Sequence, residues 1–224
     1  MLATAFLWLI ILELFAIAAL PLSFRAFARM PDRGFCFSKP LGLLLVGFGT
    51  WVIGLSHTIP NTRWSVILAL VLVIFISRLA AGGQLREIWH FFRSNLSIVI
   101  TMELLFVAVF LGTTLLRATV PDISHTEQPM DLMFLNATVA SPHYPPNDPW
   151  LAGETVSYYY LGYLMVGAMA MVTGMATSIA YNLGLATFAA IGTVAAFGLT
   201  YNLVALARGS RDASVLAGLT SVFL

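Results

Sequence analysis

The chain has 224 residues, of which 59% are hydrophobic and only 9% are charged, and its formal net charge is +1. Soluble globular domains contain roughly 45–50% apolar and about 25% charged residues, so this composition excludes a soluble domain and predicts an integral membrane protein. The sequence has no basic patch or stripe that could neutralise phosphates, which excludes nucleic acid as a partner.

The long apolar runs predict an all-α fold, a polytopic transmembrane helical bundle. The first run, residues 2–22, has about the twenty residues that a helix needs to cross the hydrocarbon core. A cleaved signal peptide is the alternative, since residues 26–28 (AFA) imitate a cleavage site, but the amino end has no Lys or Arg and the apolar region is too long. Glu13 lies in mid-span, where an ionised carboxylate is costly, so we expect it to face other helices and to be protonated or paired.

Residues 23–40 carry four basic residues against one acid, Asp32. Cytoplasmic loops are enriched in Lys and Arg, so we predict that this loop lies inside. Its Cys36, the only cysteine of the chain, is expected to be inert packing. Residues 1–117 are predicted to form four transmembrane helices with short inside loops. Glu103 lies near the inner end of the fourth of these spans. The second, third and fourth spans are predicted at residues 41–59, 64–80 and 96–116. A short interfacial helix is predicted at residues 84–92, between the third and fourth spans.

Residues 118–157 are predicted to form an outer loop. Between Arg117 and Arg208 the chain has no Lys or Arg. Basic residues are the ones retained inside, so their absence agrees with an outer location. Half of the ten acidic residues of the chain lie in this interval: Asp122, Glu127, Asp131, Asp148 and Glu154.

A short interfacial helix is predicted over residues 130–140 of this loop. If the helix begins at Glu127, then Glu127 and Asp131, four residues apart, project from one face. Two such carboxylates can share a proton, hold a divalent cation or supply a general base, or they can merely complement the positive end of the helix. His125 and His143, with the nearby acids, are candidate metal ligands, although their spacing matches no compact metal motif.

Prolines stiffen the next stretch, residues 141–150, and would present Asp148 at a fixed height. Trp150 and three consecutive tyrosines then have two interpretations. They can form an aromatic belt at the level of the lipid headgroups, or they can stack on the face of a sugar. The three tyrosines are Tyr158, Tyr159 and Tyr160.

Residues 158–224 are predicted to form further transmembrane helices. Their apolar segments lie at residues 157–174, at residues 177–207 and from residue 213 onwards. The last run stops at Leu224 with no polar tail, which predicts that the chain is an amino-terminal fragment.

Alternation of these spans places Arg208 and Arg211 outside, against the positive-inside tendency. Three explanations stay open at this point. The segment from Tyr158 is partly re-entrant, the long apolar stretch bends, or the two charges are tolerated exceptions.

Six short motifs together carry a family resemblance. They are PDRG at 31–34, KPLG at 39–42, EQPMD at 127–131, FLNA at 134–137, PPNDPW at 145–150 and YYYLG at 158–162. As a set they resemble the YYY membrane protein family, also called Chlor-Arch-YYY, which is usually grouped with the polytopic glycosyltransferases of the GT-C type. The chain departs from the family pattern at Gln128, where Lys is expected, and from typical GT-C enzymes in having three spans before the helix that leads into the loop.

The resemblance implies a GT-C-like bundle in the plasma membrane, with a polyprenyl-phosphate-linked sugar as the donor and a catalytic acid on the outer loop. Asp131 is the first choice for that acid, followed by Glu127 and Asp148, and we expect the three to line one outward-facing cleft. The leaving lipid phosphate needs a divalent cation or an arginine, and Arg117 is the nearby arginine, unless it only snorkels. The remaining candidates for substrate contact are His125, His143, Trp150, Tyr158, Tyr159 and Tyr160.

The competing hypothesis is a protein without enzymatic activity, either a transporter or an envelope scaffold. In that case Glu13 and Glu103 would be the functional polar sites inside the membrane. The two hypotheses differ in which carboxylates matter, since the transferase depends on Asp131 and the transporter on the two glutamates.

Overall fold

The computed structural model describes residues 2–83, 85–208 and 211–222, and these fold into α-helices without a β-strand. The all-α prediction is therefore confirmed. Gln84 and Leu224, the predicted limits of the interfacial helix and of the last apolar run, lie outside the described residues. The helices are α1 (Leu2–Ala26), α2 (Ser38–Leu55), α3 (Arg63–Ala81), α4 (Leu85–Ser94), α5 (Leu96–Thr119), α6 (Gln128–Ala140), α7 (Leu161–Thr173), α8 (Thr177–Arg208) and α9 (Arg211–Ser221).

Five helical segments are long and apolar enough to cross a membrane, which confirms the prediction of several spans. They are Ala3–Ala26, Phe35–Leu55, Arg63–Ala81, Leu96–Thr119 and Thr177–Ala207. The second begins earlier than predicted because a 3₁₀ turn, Phe35–Phe37, leads directly into α2. Lys39, which the sequence placed in the inside loop, is consequently the second residue of α2 and is buried.

The bundle has two chemically different ends. At the arginine end, residues 27–37 lie beside α4, as the ion pair between Arg33 and Glu87 shows. At the acidic end, residues 120–160 lie beside the turn between α2 and α3, where the Asn61 backbone N–H donates to the carbonyl oxygen of Pro142 at 2.7 Å.

Helix α7 does not cross from one end to the other. Its 13 residues span about 20 Å at 1.5 Å per residue, against a hydrocarbon core of about 30 Å. Just before it, the hydroxyl of Tyr160 accepts a hydrogen bond from Trp51 Nε1, and just after it Thr177 Oγ1 donates to Asn136 Oδ1. Because these flanking contacts are with the last turns of α2 and with α6, both ends of α7 lie in the acidic half, as the re-entrant explanation predicts.

Helix α8 makes the crossing that α7 does not. Near its start, Asn182 accepts a hydrogen bond from Arg117 at the end of α5. Near its other end, Asn202 Nδ2 donates to the Asp32 carboxylate of the arginine end at 2.8 Å. The backbone of Arg208 therefore lies at the arginine end, and the conflict raised by simple alternation disappears.

Close helix packing and one buried acid fix the arginine end. A Cβ atom on Gly198 of α8 would lie 2.3 Å from the Cβ of Cys36, so the two segments meet only because residue 198 is glycine. Asp32 is fully buried and accepts hydrogen bonds from the backbone N–H groups of Gly34 and Cys36 as well as from Asn202. Cys36 is itself buried, as expected for inert packing.

The predicted short helix between the third and fourth long helices is confirmed as α4. It buries Ile88 and Phe91 and leaves Trp89 exposed. The Phe91 ring packs edge-on against Phe24 of α1, with 5.0 Å between the ring centroids. Helix α4 therefore lies against the end of the bundle with one apolar face covered.

Candidate functional site at the acidic end

Asp131 is held by side chains of two other helices at this end. It lies in the first turn of α6, where Pro129 is tolerated because the first helical turn needs no amide donor. Tyr163 of α7 donates its hydroxyl to Oδ1 at 2.5 Å, and Tyr181 of α8 donates to Oδ2 at 3.2 Å. Three helices thus converge on one half-buried carboxylate.

Asp131 opens onto a cavity of about 200 Å³ between α6, α7 and α8. The polar part of the lining is the carboxylate and three tyrosines, and the remainder is mostly aliphatic and aromatic. A hydroxyl group entering this cavity would meet one anionic acceptor in a largely apolar enclosure. The lining residues are Asp131, Leu135, Tyr159, Gly162, Tyr163, Val166, Tyr181, Gly184, Leu185 and Phe188.

The phenols around Asp131 stay neutral donors. Burial, followed by the hydrogen bond to Asp131, raises the pKa of Tyr163 well above its ordinary value. The hydrogen bond to Tyr159 is the main cause that raises the pKa of Tyr158 to about 12. A neutral phenol donates a hydrogen bond, so Tyr163 orients the carboxylate.

Aromatic rings form a ladder beside the cavity. Tyr158 stacks on Tyr159 with 4.0 Å between ring centroids and on Phe134 with 5.0 Å. Phe134 also contacts the rings of Tyr163 and Trp150. Trp150 and Tyr159 are 65% and 72% exposed, and Tyr159 also lines the cavity with Asp131. The ladder therefore presents exposed aromatic surface at this end, as both sugar stacking and an interfacial belt require.

Tyr160 differs from its two neighbours. Its hydroxyl accepts a hydrogen bond from Trp51 Nε1 at 2.8 Å, and its ring stacks on Tyr144 with 6.2 Å between centroids. Tyr144 is fully buried, and burial raises its pKa. Tyr160 therefore fixes the loop to α2, whereas Tyr159 lines the cavity and Tyr158 stacks on it.

The three predicted carboxylates do not share a cleft, so that expectation is wrong. Asp148 lines a separate groove of about 420 Å³ on the opposite side of α6, together with Asn136 and Asn147. Its Oδ1 accepts hydrogen bonds from the backbone N–H groups of Trp150 and Leu151, so it shapes the loop. Glu127 is the exposed residue that precedes α6. Helical periodicity explains the separation, since the groove and the cavity use residues from opposite faces of α6.

The two histidines are not brought to Asp131 as ligands. His125 is exposed, and its backbone N–H contacts the side chain of Gln128. His143 stacks on His57 with 4.7 Å between ring centroids. Across the described ranges of the chain there is no group of three or more His, Cys, Asp and Glu side chains that could hold a metal ion.

Arg117 is oriented by its neighbours. Its Nε donates to Asn182 Oδ1 at 2.7 Å and its Nη2 donates to the carbonyl oxygen of Asp122 at 3.1 Å. It lines a cavity of about 310 Å³ between α5 and α8. This cavity includes Ser178 and Asn182, so it lies on the other side of the first turns of α8 from Tyr181.

Sequence reasoning missed Tyr163, Tyr181 and Asn182, which position the two charged groups. A signal for the tyrosines existed, because six of the seven tyrosines of the chain lie between residues 144 and 181. Nothing in the sequence indicated that Tyr163 and Tyr181, on different helices, would reach the same carboxylate.

Inside the membrane-spanning part, the predicted polar sites Glu13 and Glu103 converge on Lys39. The Lys39 Nζ lies 3.1 Å from Glu13 Oε1 and 2.5 Å from Glu103 Oε1. It also lies 4.9 Å from the centroid of the Phe106 ring. The expectation that Glu13 is paired within the bundle is thereby met, and the partner that sequence reasoning missed is Lys39.

These features define a polytopic α-helical membrane protein with a polar site at one end of its bundle. The chain belongs to the uncharacterised membrane protein family DUF2298, whose model matches residues 45–224. No curated protein and no solved structure matches the chain. The expected membership of a membrane protein family is confirmed by this match, and the relation to GT-C glycosyltransferases stays a prediction.

Proposed function

We propose that the protein is a membrane glycosyltransferase of GT-C-like type that transfers a sugar from a polyprenyl-phosphate-linked donor, with Asp131 as its reactive carboxylate. One observation carries the proposal. The Asp131 carboxylate is held by the hydroxyls of Tyr163 and Tyr181 at the wall of a largely apolar cavity. Such a carboxylate is both oriented and accessible to a substrate hydroxyl.

The reaction needs one proton acceptor and one leaving group. The Asp131 carboxylate takes the proton of the acceptor hydroxyl as that oxygen bonds to the anomeric carbon of the donor. The bond between the anomeric carbon and the phosphate oxygen breaks, and the electron pair leaves with the lipid phosphate. A positioned general base contributes roughly 10²–10⁴-fold to such a step.

The aromatic ladder supplies a surface for the sugar. The exposed faces of Tyr159 and Trp150 suit stacking against the apolar face of a pyranose ring. Tyr159 also lines the cavity with Asp131, so a sugar on this face would lie within reach of the carboxylate. Glu127 and Asp148 have no part in the reaction as now proposed.

The arrangement in the membrane follows from charge. Cytoplasmic surfaces are the ones enriched in Lys and Arg, and the arginine end carries Arg25, Arg29, Arg33, Arg86 and Arg93. We therefore assign the arginine end to the cytoplasmic side of the plasma membrane and the acidic end to the outer side. A lipid-linked donor would then approach Asp131 from the outer leaflet.

The test is an assay of sugar transfer. The full-length protein, reconstituted in lipid vesicles, is incubated with radiolabelled polyprenyl-phosphate sugars and candidate acceptors, beside its Asp131→Asn variant. We expect label to appear in the acceptor with the native protein and to fall by roughly 10²-fold or more with the variant. Transfer that is unaffected by Asp131→Asn in a folded protein would remove Asp131 from the mechanism.

The second candidate function is proton or ion transport through the Lys39 cluster, and the convergence of Glu13 and Glu103 on Lys39 favours it. Ionisable groups inside a membrane commonly mark such paths. Replacing Glu13 and Glu103 by Gln would then abolish a proton flux across vesicles, whereas the transferase proposal expects sugar transfer by the folded variant to continue.

A further inference from the structure

The cavity at Asp131 has a polar end and an apolar end, in a fixed order along α8. Tyr181, whose hydroxyl donates to Asp131, lies in the second turn of α8. Leu185 and Phe188 line the same cavity one and two turns further along the helix. The seven residues from Tyr181 to Phe188 correspond to about 10 Å of helix. The carboxylate therefore heads a cavity whose hydrocarbon walls continue towards the membrane interior.

The apolar end of this cavity is accessible from the lipid side. Leu185 is 38% exposed and Phe188 is 41% exposed. Both lie in the segment Thr177–Ala207, which is long and apolar enough to cross a membrane. A lipid chain is as apolar as a leucine side chain, so a hydrocarbon chain can enter the cavity from the bilayer.

Gly162 keeps the head of the cavity open. It is the second residue of α7 and lines the cavity with Tyr159 and Tyr163. A Cβ atom at this position would meet no heavy atom within 4 Å, so no neighbouring atom requires glycine here. Any longer side chain at residue 162 would instead occupy space beside Asp131 that a ligand could use.

The charge of the lining favours a neutral head group. Among the described residues that line the cavity, Asp131 is charged and none is Lys or Arg. The sequence has no Lys or Arg anywhere between Arg117 and Arg208. A phosphate or carboxylate head group would therefore lie beside a like charge without a cation, which is unfavourable. A hydroxyl group can instead donate a charge-assisted hydrogen bond to the carboxylate.

We propose that this cavity binds a neutral lipid alcohol, with its hydroxyl on Asp131 and its hydrocarbon chain along Leu185 and Phe188, and that this lipid is the acceptor of the sugar. The inference rests on the proposed function for its reaction and adds the class of the acceptor. The hydroxyl oxygen bonds to the anomeric carbon of the donor and its proton passes to Asp131. The electron pair of the broken bond leaves with the polyprenyl phosphate, and the product is a glycolipid that stays in the membrane.

Photolabelling of the full-length native protein in lipid vesicles tests the binding. The probe is hexadecanol that carries a diazirine in its chain, and label is expected on Val166, Leu185 and Phe188. Unlabelled hexadecanol should compete at least about tenfold more strongly than hexadecyl phosphate, which has the same chain and an anionic head. Equal competition by the two, or label that avoids the cavity, would overturn the assignment. This comparison needs no variant.

A matched pair of glycine variants tests the space beside Asp131. Gly162→Leu fills the head of the cavity, so labelling by the hexadecanol probe should fall at least about tenfold. Gly112→Leu is the control, because a Cβ atom on Gly112 of α5 also meets nothing within 4 Å and Gly112 does not line the cavity. Its labelling should stay within about twofold of native. Native labelling of a folded Gly162→Leu protein would contradict the assignment.

The Asp131→Asn variant tests the role of charge in the selection of the head group. It keeps the apolar walls but removes the negative charge, so the preference for hexadecanol over hexadecyl phosphate should fall to within about threefold. A preference as large as that of the native protein would show that Asp131 does not contact the head group.

Sugar transfer separates this inference from the proposed function. With a radiolabelled polyprenyl-phosphate sugar as donor, the label is expected in hexadecanol and not in glucose, a water-soluble acceptor. Transfer to glucose by a protein that does not bind hexadecanol would leave the transferase standing and overturn the lipid acceptor. Labelling of the cavity by the hexadecanol probe without transfer to any acceptor would support the binding site and remove the transferase.

Discussion

The protein holds carboxylates in two regions by different means. At the acidic end, Asp131 is held by neutral tyrosine hydroxyls and faces a cavity. Inside the membrane-spanning part, Glu13 and Glu103 contact the ammonium group of a buried lysine, Lys39. A carboxylate paired with a cation has its charge compensated within the fold, whereas one held by neutral donors keeps its charge for a substrate. The adjacent cavity and the neutral hydrogen-bond donors together distinguish the candidate reaction site at Asp131 from the structural ion pairs of Lys39.

The largest expected effect on stability is at Lys39. Replacing Lys39 by Met leaves two carboxylates without their cation. Breaking a fully buried ion pair costs about 3–5 kcal/mol, and the cost here should lie towards or below the lower end because the Glu13 and Glu103 side chains are 37% and 33% exposed. The variant should therefore melt at a clearly lower temperature in detergent. Sugar transfer per folded molecule should change little, because the cluster is remote from Asp131 in the bundle.

A triple variant provides the control for that prediction. Glu13→Gln and Glu103→Gln, combined with Lys39→Met, remove all three charges and should recover most of the lost stability. If the single variant melts like the native protein, the cluster does not stabilise the fold and its role must be sought in transport.

A smaller effect is expected at the two tyrosines that orient Asp131. Tyr163→Phe removes the donor at 2.5 Å and Tyr181→Phe removes the donor at 3.2 Å. Hydrogen bonds to a charged group are among the stronger ones, so Tyr163→Phe should lower kcat by about tenfold and Tyr181→Phe by less. Because these residues position the carboxylate rather than bind the donor, KM should change little. A fall in kcat that is equal for Tyr160→Phe would contradict the distinction between the tyrosines.

The smallest predicted effect is a titration at high pH. The hydrogen bond from Tyr158 to Tyr159 raises the pKa of Tyr158 to about 12, compared with about 10 in an unfolded chain. The folded state therefore favours the neutral phenol, and this contribution is present below about pH 10 and lost as the pH rises through 12. Tyr159→Phe should shift the phenolate absorbance of Tyr158 back towards pH 10, and an unchanged titration would show that the ladder geometry is wrong.

Hydropathy predicted the long helices because each contains about as many consecutive apolar residues as a membrane crossing needs. It failed at residues 157–174, which are apolar over a sufficient length but contain only the 13-residue helix α7. The tyrosines before Leu161 stay outside the helix, since Tyr160 is tied to Trp51, and Gly174 ends the helix with a left-handed φ of 70°. Hydropathy does not record either constraint.

The candidate site was predicted only in part. Helical periodicity could place Asp131 on one face of α6. It could not show on which side of α6 the proline-rich loop would place Asp148. The convergence of Tyr163 and Tyr181 on Asp131 depends on the re-entrant geometry of α7, which the sequence left as one of three explanations. The sequence placed Lys39 in the predicted inside loop, which ended at Pro40. In the structure α2 begins earlier, at Ser38, and Pro40 lies in the first helical turn, where proline is tolerated.

The most direct test of the central claim is a side-by-side measurement of sugar transfer by Asp131→Asn and Asp148→Asn in the full-length protein. The substitution is identical, and the two carboxylates lie on opposite sides of α6. Asp131→Asn should lower the transfer rate by roughly 10²-fold or more, while Asp148→Asn, if folded, should keep a rate close to native. Equal loss in both folded variants, or a loss only in Asp148→Asn, would contradict the assignment of Asp131 as the reactive carboxylate.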